Sequence, residues 1–116
     1  MTTLRWLEWA TAKHFRDQGL RVRIQSIKLG NVAIDGEVEG EGWKMALELK
    51  TPQDDITRGI GQLAEALAYG YNQVALVTTL RTAKKIDSAV FDRLGLVLLG
   101  VDSKGQVEQV YPTYSS

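Results

Sequence analysis

Cysteine is absent, histidine occurs once (His14), proline twice (Pro52 and Pro112), and net charge is zero, with 14 Lys and Arg against 14 Asp and Glu in 116 residues. Each scarcity excludes something. Without cysteine there is no disulfide, thiolate zinc site or cysteine nucleophile. A single histidine rules out a multi-histidine metal site and leaves little room for a serine triad. No apolar run approaches the ~20 residues that span a bilayer. No basic segment precedes a short apolar one, as in a secretory signal. The expectation is therefore a cytoplasmic chain with no membrane partner and no small organic cofactor. Zero net charge argues against a surface coated with basic residues for nucleic acid. With no repeat, low-complexity tract or linker, residues 1–116 are expected to form one domain.

The charges are unevenly placed. Residues 1–30 carry six basic and two acidic side chains; residues 31–55 carry two basic and seven acidic ones. The acidic set is Asp35, Glu37, Glu39, Glu41, Glu48, Asp54 and Asp55. Such a cluster is either a solvated hairpin edge or a set of carboxylates held for a hard cation.

Periodicity places the elements. Residues 3–18 read as a helix capped by Thr2 or Thr3, with Leu4, Leu7, Thr11 and Phe15 facing inward, Gly19 at its end, and His14 as a packed core residue. Residues 21–29 read as a strand of imperfect alternation. Residues 32–39 and 43–50 read as a hairpin, and 54–70 as a helix with Ile56, Ile60, Leu63 and Leu67 in its stripe. Residues 73–79 form a buried strand. A helix follows over 82–93, with Ile86, Ala89 and Val90 inward, then strands at 95–101 and 106–111. The order αβββαβαββ predicts an α/β fold, a mixed sheet with helices on its faces.

A two-residue turn at Glu41-Gly42 sets the hairpin register. It puts Val38 across from Met45, Glu39 across from Lys44, Ile34 across from Leu49, and Asp35 across from Glu48. Glu48 and Lys50 leave the same strand face, two residues apart. Two carboxylates at one cross-strand spacing repel, and a divalent cation between them removes that cost. Magnesium suits one or two carboxylates plus waters. A lysine beside them can stabilise an anionic phosphorus centre. The set Asp35, Glu48 and Lys50 therefore fits phosphodiester hydrolysis.

Val32-Ala33-Ile34-Asp35, then Glu48-Leu49-Lys50 after a hairpin, then a helix with Arg58-Gly59-x-x-Gln62 and Tyr69, then an apolar strand, together resemble the PD-(D/E)XK nuclease superfamily. The likeness is greatest to small archaeal or viral nucleases and Holliday junction resolvase-like members, and it covers residues 4–80. Ile34 stands where the family's name-giving proline would be. The resemblance implies a restriction endonuclease-like core and Mg2+ or Mn2+ held by Asp35, Glu48 and the carbonyl of Leu49. It also implies that Lys50 positions or activates water, that Gln62 lies near the site, and that an acidic residue of the first helix approaches the metal. Glu8 is the candidate for that last role; the alternative is a surface glutamate that swings into water.

The leading expectation is thus a metal-dependent DNA endonuclease, resolvase-like in substrate, with Arg21, Arg23, Lys28, Arg58 and Tyr69 as DNA contacts. The alternative is a catalytically silent nuclease-like subunit that binds DNA or a protein partner. Trp6 and Trp9, on the nominally exposed face of the first helix, suit a homodimer interface, a DNA contact, or burial beneath the C-terminal segment. The free protein is expected to bind DNA weakly, more tightly with metal and less tightly with salt.

Overall fold

The computed structural model describes residues 3–113. Thr3 begins the first helix, α1 (Leu4–Arg16): its hydroxyl accepts the N–H of Trp6 at 3.2 Å, one of the donors a helix start leaves orphaned. Thr2 lies outside the described residues. Gly19, at φ +81°, adopts the left-handed conformation that turns the chain out of the helix. Leu7, Thr11 and Phe15 are buried as expected, whereas Leu4, in the first turn, is exposed.

Strand β5 (Trp43–Leu49) is the organising element. It pairs antiparallel with β4 (Gly36–Gly40) in the expected register: Val38 opposite Met45, Glu39 opposite Lys44, and the ladder starting at Gly36 opposite Leu47. On its other side β5 runs parallel to β6 (Gln73–Thr79), and β6 parallel to β7 (Val97–Val101). Strands β1 (Arg21–Arg23) and β8 (Val107–Tyr111) close the two edges of the six-stranded sheet, in the order β1-β4-β5-β6-β7-β8. The expected mixed α/β sheet with helices on both faces is what forms.

Two predicted strands are each divided. The stretch 21–29 breaks after β1 and resumes as β2 (Ile27–Leu29); the stretch 32–39 breaks at Asp35, leaving β3 (Val32–Ile34) before β4. β2 and β3 pair with each other as a small separate sheet. The bend at Asp35 changes the side-chain parity. Ile34 joins the core on one face of the main sheet and Val38 the core on the other, so the expectation that they share a face is corrected. Ile34 pairs with Ile27 and not with Leu49.

The faces of β5 separate cleanly. Met45, Leu47 and Leu49 pack with Leu7, Ala10 and Phe15 of α1. Ala46 packs with the opposite layer, made by α2 (Ile56–Ala66), α3 (Leu80–Ala83) and α4 (Ser88–Leu94). Asp55 caps α2 by accepting the Arg58 N–H at 3.1 Å. A 3-10 turn over Leu67–Tyr69 follows it; the tighter winding leaves Leu67 exposed and Ala66 buried in its place. The helix expected over 82–93 is two helices, because Asp87 turns its carboxylate to the Ala89 N–H (3.0 Å) and caps a new start. Ala83 and Phe91 are the buried anchors there; Ile86 is half-buried, and Ala89 and Val90 are exposed. No helix among the described residues is long and apolar enough to cross a membrane.

Leu63, fully buried on α2, holds that helix against the sheet. Leu63→Ala is expected to cost about 2–5 kcal/mol, a large share of a small domain's stability. Urea unfolding checks this; a loss below about 1 kcal/mol would contradict the packing described.

Candidate active site

The even-numbered residues of β5 face α2, so the alternation that buries Ala46 also directs Glu48 beneath that helix. Glu48 is 1% exposed, and its Oε1 has no hydrogen-bond partner. Its Oε2 lies 3.7 Å from Nζ of Lys50, just past the strand end. Asp35 sits at the bend before β4: its N–H donates to the Leu47 carbonyl (3.0 Å) and its Oδ2 accepts the Leu49 N–H (2.9 Å). Asp35 is thereby tied to both backbone neighbours of Glu48, which is the juxtaposition the register implies.

The electrostatics follow from this geometry. Burial pushes the Glu48 carboxyl up from 4.5 to about 8, the adjacent Asp35 charge adds to the rise, and the Lys50 ammonium opposes it. An isolated buried carboxylate is costly, and the raised Glu48 pKa is the response: the carboxyl holds its proton to higher pH than a free one. Two carboxylates with a free, inward oxygen form an all-oxygen donor set of the kind hard divalent cations take. Among the described residues no third His, Asp or Glu joins them in a ligand cluster.

The helix α2 shapes the rest. The amide of Gln62 donates to the Ala33 carbonyl at 3.2 Å, pinning α2 to the strand that leads into Asp35, while its Oε1 is buried without a partner. Gly59 faces Lys50. A Cβ built there would stand 2.7 Å from the Lys50 Cε and 3.1 Å from Leu76 Cδ1. The lysine stem therefore crosses α2 where the helix has no side chain, and this confines the ammonium near Glu48. Thr78 on β6, one residue beyond the Leu49–Val77 pair and thus beside Lys50, also has a buried hydroxyl without a partner. The unpartnered atoms of Glu48, Gln62 and Thr78 all belong to the α2 side of the sheet. Gly59 belongs to the pattern Arg58-Gly59-x-x-Gln62, though a glycine inside a helix is only a weak sign of close approach; Thr78 lies outside that pattern, and the parity of β6 is what points to it.

The other candidates divide. Glu8 is half-buried on α1, which packs on the odd-numbered face of β5, the side away from Glu48; the structure does not bring it into a cluster with Asp35 and Glu48. Arg21 and Arg23 are exposed but ion-paired. They pair across the sheet with Glu39 and Glu37, the latter at 3.2 Å, because β1 lies against the acidic strand β4. Glu37 also accepts the Tyr71 hydroxyl at 2.7 Å. Burial first, then the Glu37 bond, push the Tyr71 phenol up to about 12. Lys28 and Arg58 are exposed and form no ion pair among the described residues. Tyr69 is half exposed, its hydroxyl set against Gly30 in the β2–β3 turn. Trp6 packs at the margin of the α1 core, whereas Trp9 is 55% exposed and rests its ring on Gly105 between β7 and β8. His14 is half-buried, edge-on to Phe15 and within 3.0 Å of the Gln18 amide; burial lowers its pKa.

Two outcomes are expected. The folded-state pKa of Glu48 is raised, so its favourable contribution is complete below about 4.5 and lost as pH rises to about 8. In chelator, Glu48→Gln should therefore gain thermal stability over the native chain progressively across that interval and level off above it; a gap independent of pH would contradict the burial argument. The two helix glycines make a matched pair, since a Cβ at Gly61 meets nothing within 4 Å. Gly61→Ala should stabilise the protein by about 0.5–1 kcal/mol and leave Lys50 undisturbed. Gly59→Ala should displace the lysine, seen as faster amine labelling of Lys50. Equal labelling in the two variants would refute the channel.

A scan of family models finds none that matches the chain, and a comparison with curated proteins finds none similar in sequence. Solved structures do share the fold. An XisH family protein from Nostoc punctiforme PCC 73102 superposes with a TM-score of 0.65 at 18% identity, over 90% of this chain and 97% of that one. SPO1766, of unknown function, from Silicibacter pomeroyi gives 0.66 at 16%, over 95% and 70%. Pyrococcus furiosus SfsA, solved in complex with Ca2+, gives 0.58 at 16%, over 91% of this chain and 62% of that one, so this chain spans under two-thirds of SfsA. At these identities the likeness is one of fold: a mixed six-stranded sheet flanked by helices, compatible with a restriction endonuclease-like core.

Proposed function

We propose that this chain is a divalent-metal-dependent endonuclease that hydrolyses DNA phosphodiesters, with a branched-DNA preference of the resolvase kind. The observation that carries the reading is the buried Glu48 carboxylate, one oxygen unpartnered, beside Asp35 and within 3.7 Å of the Lys50 ammonium. Asp35, Glu48 and the carbonyl of Leu49 would hold Mg2+ or Mn2+. When bound, the ion supplies positive charge that polarises the scissile phosphate and makes water a better nucleophile.

The chain's own residues account for the remaining tasks. Asp35 is oriented by the Leu49 N–H, which leaves its other oxygen for a ligand. Lys50, its stem confined by Gly59, presents an ammonium to the anionic phosphorus centre and to the attacking water. Gln62 holds α2 to β3 and so keeps the helix over the site. Arg58 and Lys28, exposed and without ion pairs among the described residues, are candidate phosphate contacts, and half-exposed Tyr69 is a candidate stacking surface. That a solved structure of similar fold was obtained with Ca2+ is compatible with a cation site on this scaffold. The proposed assembly is a homodimer in which a second copy covers Trp9, the most exposed large apolar side chain among the described residues; paired sites would make a double-strand cut natural.

Purified protein with Mg2+ or Mn2+ is expected to cleave at least one of duplex, flap, junction and single-stranded DNA, and to stop on chelation. Glu48→Ala and Lys50→Ala should each reduce the rate by about 10²-fold or more, the scale of removing a group that stabilises transition-state charge. Absence of cleavage across that panel, or full activity in both variants, would leave a silent subunit as the better reading.

A further inference from the structure

Lys13, Arg21 and Arg23 are ion-paired with Asp17, Glu39 and Glu37. Arg81, Lys84 and Lys85 are all exposed, and none forms an ion pair among the described residues. Their placement is specific. α3 starts directly after β6, and β6 runs parallel to β5, whose far end carries Lys50; the Lys50 N–H donates to the Val77 carbonyl of β6. α3 therefore leaves the sheet at the edge where Lys50 emerges. Thr79 caps the turn by accepting the Thr82 N–H. Bonds from Lys84 N–H to the Leu80 carbonyl and from Lys85 N–H to the Thr82 carbonyl, both 3.0 Å, continue the winding through Lys85. Spacings of three and four residues then put Arg81, Lys84 and Lys85 on one side, away from the buried Ala83.

Acidic groups around this face form no ion pair with it among the described residues, although Glu108 of β8, opposite Gly100, lies on the side of the sheet that α3 covers. Asp87 and Asp92 are the acidic residues of the stretch 80–95. Asp87 is engaged in capping α4, and Asp92 accepts the Tyr111 hydroxyl. Arg58, on the first turn of α2, lies at the same end of the sheet, since α2 follows β5.

We propose that Arg81, Lys84 and Lys85 form a phosphate-binding face that holds the nucleic-acid backbone beside the Asp35–Glu48–Lys50 centre. The inference rests on the nuclease reading for the identity of the partner. Continuity with a centre suited to phosphodiesters favours a nucleic acid over an acidic polypeptide. Phosphate contacts of this kind set affinity and position without reading sequence.

The test separates binding from cleavage. Affinity for a labelled DNA duplex is measured by fluorescence anisotropy in chelator, over a salt series, for the native chain, the triple variant Arg81→Gln/Lys84→Gln/Lys85→Gln, and Arg93→Gln. Arg93 is exposed near the end of α4, which leads into the start of β7 and so lies at the opposite edge. Unfolding midpoints confirm that all three chains fold. The triple variant should lose about tenfold or more in affinity, and the slope of log K against log salt should fall by about 2–3, near 0.9 per phosphate contact. Arg93→Gln should match the native chain. Native affinity and slope in the triple variant overturn the proposal, and so does a face that binds poly-glutamate while no chain binds duplex. Cleavage with Mg2+ is scored separately. A native chain that binds through this face and cuts nothing sinks the nuclease reading alone; a native chain that cuts DNA no better than the triple variant, with equal binding, sinks the face alone.

Discussion

The bond from the Leu49 N–H to the Asp35 carboxylate sits at the centre of this molecule's organisation. It holds a charged side chain against the central strand at the point where the neighbouring strand must bend to let it in. Because Asp35 turns inward, β3 leaves the main sheet and pairs with β2, and Ile34 is carried into the α2-side core. Gln62 then secures α2 to Ala33, two residues before the bend. The outcome is a pair of carboxylates on adjoining strands, one of them almost wholly buried. A chain selected for stability alone has little reason to keep this arrangement, since burying an underpaired carboxylate is unfavourable and strained or unsatisfied groups gather where function requires them.

Positive charge is arranged in layers around that pair. Lys50 is nearest, its freedom reduced by the passage over Gly59, so its ammonium stays near Glu48 without the entropy a free lysine would lose on ordering. Farther out are exposed cations at the same end of the sheet, on the first turn of α2 and on α3. Arg21 and Arg23 stand apart from both layers, because the acidic strand β4 is their immediate neighbour. The zero net charge of the chain thus conceals a partition. Many acidic residues are engaged in ion pairs, helix caps and the buried centre, while Arg58, Arg81, Lys84 and Lys85 are exposed without ion pairs among the described residues.

Much of this was legible in the amino-acid order, and the failures have physical causes. The β4–β5 register could be read because two apolar sets and one charge pair agree on it, and a one-residue slip spoils all three. Glu48 and Lys50 share a face by strand parity alone. The division of 21–29 and 32–39 could not be read, because a strand that changes partner keeps β-type composition on both sides of the break. The helix over 82–93 failed at Asp87, where a side chain competing for backbone N–H groups outweighed the apolar periodicity. Glu8 was a candidate through the resemblance, but the sequence does not reveal which face of the sheet its helix covers. Arg21 and Arg23 looked free because their partners lie 18 and 14 residues away, across a strand pairing.

The sequence by itself determined the class of fold, the order of its main elements and the pairing that brings Asp35 to Glu48, because these depend on local periodicity and on one short hairpin. Tertiary structure alone decided how deeply Glu48 is buried, that Lys50 runs over Gly59, which cations are neutralised, and that α3 and α2 meet Lys50 at one end of the sheet. Those properties arise from elements distant in the chain brought together by packing, and no local pattern encodes the distance between them.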